Sequence, residues 1–156
     1  MLKQQNKEQV EKLMPELAKE NLKAVIIPHI SPDGDAIGSC SALSEVCRKA
    51  GIECHILTCD NIPEYLRFLK NIPAAISYQD KAVECQKLIG EAHVIFMLDH
   101  NTVKREGDLE PWVTAAAATK VIIDHHPDPD VQDIVISDTQ VSSTCELLYS
   151  VISMVW

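Results

Sequence analysis

The chain alternates short, continuous apolar runs with longer segments in which apolar residues recur every three or four positions. The continuous runs are typical of buried parallel strands, and the recurring spacing is typical of helices with one apolar face. The predicted strands, in chain order, are residues 24–28, 52–58, 93–98, 120–123 and 134–136. The predicted helices are residues 6–20, 36–50, a short helix within 61–71, 80–91, 111–118 and 142–156.

Strands that alternate with helices predict an α/β domain with a mostly parallel sheet and helices on both faces. Pro15 lies within the first predicted helix and is expected to kink or break it. Asp35 stands where the N-cap of the second predicted helix belongs, and Gly51 is a favourable terminator of that helix.

The length and net charge of the chain indicate a single globular domain that is not a basic nucleic-acid-binding protein. The 156 residues fit one domain, and the balance of apolar and charged residues is that of an ordinary globular chain. The formal net charge of −9 argues against a wide basic face for duplex nucleic acid. It leaves room for a small anionic substrate held by metal ions.

The six cysteines form no C-x-x-C pair and do not have the spacing of a zinc site. They are therefore expected to be small core residues in a reduced, cytoplasmic protein. The N-terminus lacks the apolar core of a signal peptide. The longest apolar run, residues 94–98, is too short to span a membrane.

Residues that can bind metals gather at three places, each directly after a predicted strand. The clusters are His29, Asp33 and Asp35; Asp99, His100 and Asn101; and Asp124, His125 and His126. Ligands of open parallel sheets bind beyond the carboxyl ends of the strands. Residues almost a hundred positions apart in the sequence are therefore expected to meet in one crevice.

Taken singly, each cluster has an ordinary structural explanation. Asp35 would cap a helix, Asp99 would form a turn, and the pair His125 and His126 would be exposed on a loop. Three such clusters at three strand ends together predict a metal site. Carboxylates can bridge two divalent ions, imidazole favours a transition metal, and the clusters contain no cysteine, so Mn²⁺ is favoured over a thiolate zinc site.

Three motifs resemble those of the DHH phosphoesterase superfamily. "HISPDGDAIGS" and "IDHHPDPD" resemble its first and third motifs, and "MLDHNTVKREGD" resembles the second, whose key residue would be Asp99. The resemblance covers nearly the whole chain from about Lys23. "PDGDAIGS" and "SSTCELLY" are most similar to the bifunctional oligoribonuclease/pAp phosphatase group, the nanoRNases.

The resemblance implies Mn²⁺-dependent hydrolysis of very short RNA to mononucleotides. It also implies removal of the 3′-phosphate from 3′-phosphoadenosine 5′-phosphate (pAp), and a homodimer. In the ligand set that it implies, His29 and Asp33 bind one Mn²⁺, and Asp35 and His125 bind the other. Asp99 bridges both ions and helps to hold the attacking hydroxide.

The resemblance also implies roles around the two ions. His126 would contact the substrate phosphate, and Asp124 would orient the histidines. Gly38 and Ser39, at a helix N-terminus, would suit the approach of an anion. Arg105 would either add positive charge to the phosphate site or be an exposed, solvated side chain.

Residues 142–144 start the last predicted helix, where capping is favoured over a substrate contact. In the superfamily a fourth motif with a metal-binding aspartate follows this helix, but here the sequence reaches Trp156 first. Asp138, in "SDTQ", precedes the helix and is not that motif. Residues 1–156 are thus expected to be a DHH catalytic domain truncated before the fourth motif and without the C-terminal DHH-associated substrate-binding domain.

A domain of that kind is expected to expose apolar residues on its last helix and to self-associate through them. The residues expected to be exposed are Leu148, Val151, Ile152 and Val155.

Other functions remain open at this point. A polyphosphatase or a single-strand exonuclease would use the same chemistry, although the acidic composition disfavours an enzyme that binds long strands. In another class, the chain would bind metal or nucleotide without turnover. An inert structural α/β domain would require all three clusters to be coincidental.

Overall fold

One parallel sheet forms from the apolar runs in the computed structural model, which describes residues 1–156. All of its strand pairs are parallel, and the order across the sheet is β3-β2-β1-β4-β5-β6. The strands are β1 Lys23–Pro28, β2 Glu53–Thr58, β3 Ile76–Ser77, β4 Val94–Leu98, β5 Thr119–Asp124 and β6 Ile134–Ser137. Because β1 pairs with both β2 and β4, the direction of winding reverses between β1 and β4, which is where such sheets open a crevice.

Helices cover both faces of the sheet, which confirms the predicted α/β architecture. The helices are α1 Gln4–Leu17, α2 Gly34–Lys49, α3 Tyr78–Glu91, α4 Glu110–Ala115 and α5 Thr144–Val155. Alternate residues of β1 point to opposite faces: Ile26 packs with α1, α2 and α5, and Ile27 packs with α3 and α4. The apolar strands are therefore buried on both sides, as their continuous apolar runs predict.

Two predicted helices differ in the structure. α1 continues through Pro15 and ends soon afterwards at Leu17, so the proline lies in the last turn and does not break the helix in its middle. The short helix expected within 61–71 is a 3-10 helix, Glu64–Leu66, which begins directly after Pro63. Asn71, with a left-handed backbone of φ 65°, precedes a second 3-10 helix, Ile72–Ala74. β3 is two residues long, too short to show as a pattern in the sequence.

The cysteines are free, and Cys40, Cys47, Cys59 and Cys85 are buried, as expected for small core residues. None of the helices has both the length and the apolar character that crossing a membrane requires.

The apolar face of α5 is not exposed, and the expectation for Leu148 and Val151 is wrong. These two side chains are only 1% and 2% exposed, because α5 packs against α2 and α1 and so covers the sheet. Ile152 and Val155 are partly buried against the same cluster. The large exposed side chain of the helix is Tyr149. Self-association through α5 stays a prediction, and it would have to use this outer surface.

Gly107 has a backbone conformation, φ 59° and ψ −129°, that side chains disfavour. A Cβ atom there would lie 2.6 Å from Cys59 Sγ and 2.8 Å from Ile30 Cγ2. We expect Gly107→Ala to lower the free energy of unfolding by about 3 kcal/mol, measured by urea denaturation. Gly90→Ala is the matched control, because a Cβ at Gly90 meets nothing within 4 Å and should cost no stability. Equal stability of the two variants would show that the Gly107 contacts are not tight.

Candidate metal centre

The site lies at the carboxyl edge of the three neighbouring strands β1, β4 and β5. The parallel register pairs Pro28 with Leu98 and Leu98 with Ile123, so these strands end side by side. The residues that follow them are therefore brought together, as predicted from the three clusters. His29 comes directly after β1, and Asp99 comes directly after β4.

Asp99 is the centre of the arrangement. It is 1% exposed, its φ is 63°, and its backbone N–H donates to the Ile123 carbonyl oxygen at 3.1 Å. Its Oδ2 lies 3.5 Å from His29 Nε2, and its Oδ1 lies 3.6 Å from His125 Nε2. The two oxygens of one carboxylate thus face two different histidines. Asp99 lies in a bend of the chain, but its side chain also joins the first cluster to the third.

His29 has a fixed ring orientation. Its Nδ1–H donates to the carbonyl oxygen of Ile30 at 2.6 Å, so Nε2 is the nitrogen that faces the carboxylates. That nitrogen lies 3.5 Å from Asp99 and 3.9 Å from Asp33 Oδ1. The neighbouring Asp99 carboxylate raises the pKa of His29, and burial offsets part of this rise. His29, Asp33 and Asp99 form one group that can hold a metal ion.

The N-cap of α2 is Asp33, not Asp35, which corrects the prediction from sequence. Asp33 Oδ1 accepts the N–H groups of Asp35 and Ala36 at 3.0 and 3.1 Å. α2 begins at Gly34, two residues earlier than Asp35 capping would require, so Asp35 lies inside the first turn. Its carboxylate is therefore free to bind elsewhere.

Asp35 reaches the N-terminus of α5. Its Oδ2 accepts the N–H of Thr144 at 2.8 Å, and its Oδ1 accepts the N–H of Cys145 at 2.9 Å. Burial acts to raise the pKa of Asp35, but these N–H groups, the Cys145 thiol and His125 together outweigh it, so the pKa of Asp35 lies below its ordinary value. The same Oδ2 lies 3.7 Å from His125 Nε2. Asp35, Asp99 and His125 therefore converge from α2, β4 and β5.

His126 is held by Asp124 and packs beside His125. The buried Asp124 carboxylate contacts His126 Nδ1 at 2.7 Å with one oxygen and accepts the His126 backbone N–H at 3.1 Å with the other. Asp124 makes no hydrogen bond to His125. It therefore orients only His126, although it was predicted to orient both histidines. The His125 and His126 rings lie 4.5 Å apart, and His126 is 38% exposed. Its Nε2 is left free for a ligand.

The predicted substrate residues do not all reach this edge. Ser39 is fully buried, and its hydroxyl donates to the Ala36 carbonyl oxygen within α2, so it is not exposed to a substrate. Gly38 lies against the sulfur of Cys145, where a Cβ would approach it to 3.3 Å. Arg105 lies near the first cluster, because its backbone carbonyl oxygen accepts the N–H of Ile30 at 2.7 Å.

A buried pair beside Asp99 was not predicted. His100 and Glu106 are both fully buried, and His100 Nε2 lies 3.1 Å from Glu106 Oε1. His100 Nδ1–H donates to the carbonyl oxygen of Leu98 at 2.9 Å, so this hydrogen bond joins the residues directly before and after Asp99. Glu106 lies in a 3-10 helix, Val103–Leu109, that has no apolar periodicity to reveal it. The pair fixes the turn that presents the Asp99 carboxylate.

The donor set fits divalent cations. Asp99 is buried, and its charged neighbours are histidines; no lysine or arginine lies within salt-bridge distance of it. A buried carboxylate without a cation is costly, and carboxylates with imidazoles are ligands of first-row divalent metals. Asp99 belongs to both clusters that can hold an ion, one with His29 and Asp33, the other with His125 and His126.

Comparison with known protein families and structures also supports a metal-binding site here. The model of the DHH family, N-terminal domain, matches residues 23–155. A crystal structure of an exopolyphosphatase-related protein from Bacteroides fragilis superposes with a TM-score of 0.92 at 31% sequence identity. The alignment covers 96% of this chain and 44% of that protein, so the chain spans less than half the length of this relative. No curated protein sequence matches the chain significantly.

Proposed function

The chain belongs to the DHH family, and from this premise we propose that it carries a metal-dependent phosphoesterase site in which two divalent ions share Asp99. The observation that carries the proposal is the placement of the two Asp99 oxygens. One oxygen faces His29 and the other faces His125, at nearly equal distances of 3.5 and 3.6 Å. A carboxylate placed in this way can bridge two ions.

The proposed ligands divide into two sets. His29 and Asp33 would hold one ion, Asp35 and His125 would hold the other, and Asp99 would belong to both. Mn²⁺ is the proposed metal because each set mixes an imidazole with carboxylates. Bound ions of this kind polarise phosphoryl oxygens and lower the pKa of water, which is the chemistry that phosphoester hydrolysis needs.

The remaining side chains would handle the phosphate. His126 is oriented by Asp124 through Nδ1, so its Nε2 would face a phosphate oxygen and, when protonated, donate to it. Arg105 would add a positive charge near His29 and stabilise charge on the phosphoryl group. Gly38 would contribute only space, and Ser39 is too deeply buried within α2 to contact the substrate directly.

We propose very short RNA and pAp as the substrates, because "PDGDAIGS" and "SSTCELLY" are most similar to the nanoRNase group. Inorganic polyphosphate is the second candidate, favoured by the likeness to a protein described as exopolyphosphatase-related. A long-strand exonuclease is less favoured because the chain carries a net charge of −9.

A substrate panel with Mn²⁺ tests the proposal on the protein. Mononucleotide release from a labelled dinucleotide, and phosphate release from pAp, should both exceed release from polyphosphate. Turnover of polyphosphate alone would transfer the assignment to the second candidate. Mn²⁺ binding without turnover of any of the three would support a metal-binding domain without activity.

A further inference from the structure

Thr144 contacts both proposed ligand sets at once. Its backbone N–H donates to Asp35 Oδ2 at 2.8 Å, and its hydroxyl donates to Asp99 Oδ1 at 2.8 Å. The residue is fully buried, so both contacts are shielded from water. Asp35 belongs to one proposed set, and Asp99 is shared by both.

The helix does not need the Thr144 side chain as a cap. Ser143 is the N-cap of α5, and its hydroxyl oxygen accepts the Glu146 N–H at 3.1 Å. Glu146 in turn accepts the N–H of Ser142 at 2.9 Å. Capping is therefore complete one residue before Thr144, and the hydroxyl of Thr144 is free for another role.

The Thr144 hydroxyl fixes the side-chain torsion that orients the Asp99 carboxylate. The carboxylate plane of an aspartate turns about a broad, two-fold torsion that sterics alone do not define. Asp99 must keep one oxygen towards His29 and the other towards His125, and Thr144 is the side chain that donates a hydrogen bond to it. Loss of that donor would leave the carboxylate free to turn.

We propose that Thr144 is a positioning residue: its hydroxyl sets the plane of the Asp99 carboxylate while its N–H holds Asp35, so that the two ligand sets keep a fixed separation. This inference rests on the proposed two-metal site. It assigns the start of α5 a role in metal binding through the ligands, and not through contact with the substrate.

The test compares three variants of the full chain by Mn²⁺ titration and thermal unfolding. Thr144→Val keeps the shape and the N–H but loses the hydroxyl, and should weaken Mn²⁺ binding about 10- to 100-fold, as outer-shell changes do. Thr144→Ser restores the hydroxyl and should return the affinity towards wild type. Ser143→Ala removes the true cap and should lower the melting temperature while leaving Mn²⁺ affinity unchanged.

Several outcomes would overturn the inference. These are a Thr144→Val affinity within twofold of wild type, a Thr144→Ser variant as weak as Thr144→Val, or an equal loss of affinity in Ser143→Ala.

A metal-free crystal structure of Thr144→Val, or of Thr144→Ala if valine prevents folding, shows the orientation of Asp99 directly. An Asp99 side chain with the wild-type orientation in that structure would also overturn the inference. A wild-type chain that binds no Mn²⁺ would contradict the proposed function instead, and the crystal structure would still decide the inference about Thr144.

Discussion

Asp99→Asn is expected to reduce phosphoester hydrolysis by on the order of 10³-fold or more while leaving the chain folded. The substitution removes the one negative charge that both proposed ligand sets share. Asparagine tolerates the left-handed backbone, φ 63°, that residue 99 adopts. Its amide oxygen can also accept the Thr144 hydroxyl. The loss would therefore report charge and metal binding, and steady-state rates with Mn²⁺ measure it.

Urea unfolding of the metal-free protein is the control for that variant. We expect Asp99→Asn to be at least as stable as wild type, because a buried carboxylate without its cation is costly. Comparable rates for the two proteins would contradict the shared-ligand role. A large loss of stability would instead mean that the carboxylate supports the fold directly.

Glu106→Ala is expected to lower the free energy of unfolding by about 3 kcal/mol. His100 donates through Nδ1 to Leu98, so its Nε2 depends on Glu106 for a partner. Burial raises the pKa of Glu106, and the hydrogen bond with His100 counters only part of that rise. Alanine would leave a fully buried ring nitrogen without a partner and open a cavity beside it. Urea denaturation of the metal-free protein measures the loss.

Glu106→Gln is the matched control. Its amide can donate to His100 Nε2, so we expect a loss of only about 1 kcal/mol. The other oxygen, Glu106 Oε2, is buried without a hydrogen-bond partner, so the full carboxylate is not needed there. If alanine and glutamine cost the same, the hydrogen bond to His100 would not be what stabilises this turn.

The strands that carry the site could be predicted from sequence because each is a continuous apolar run followed at once by polar residues. His29, Asp99 and His125 were found in this way, since parallel strands end at a common edge. Family resemblance, and not pattern, supplied the division of ligands into two sets.

The roles of Asp35, Ser39 and Glu106 depend on tertiary packing, which cannot be predicted from a local sequence pattern. Asp33 and Asp35 are equally good caps by residue type, and only the contact of Asp35 with the start of α5, 109 positions away, separates their roles. Ser39 is expected at the site because it lies near a helix start, but packing around α2 buries it completely. The role of Glu106 has no signal in the sequence, because a single acidic residue in a short 3-10 helix is usually solvated.

The number of Mn²⁺ ions bound per chain, and their magnetic coupling, test the central claim most directly. Electron paramagnetic resonance of the Mn²⁺-loaded protein reports both quantities in one experiment. A carboxylate shared by two ions predicts two Mn²⁺ per chain with the spectrum of an exchange-coupled pair. A single ion, or two ions with independent spectra, would contradict the assignment of Asp99 as their common ligand.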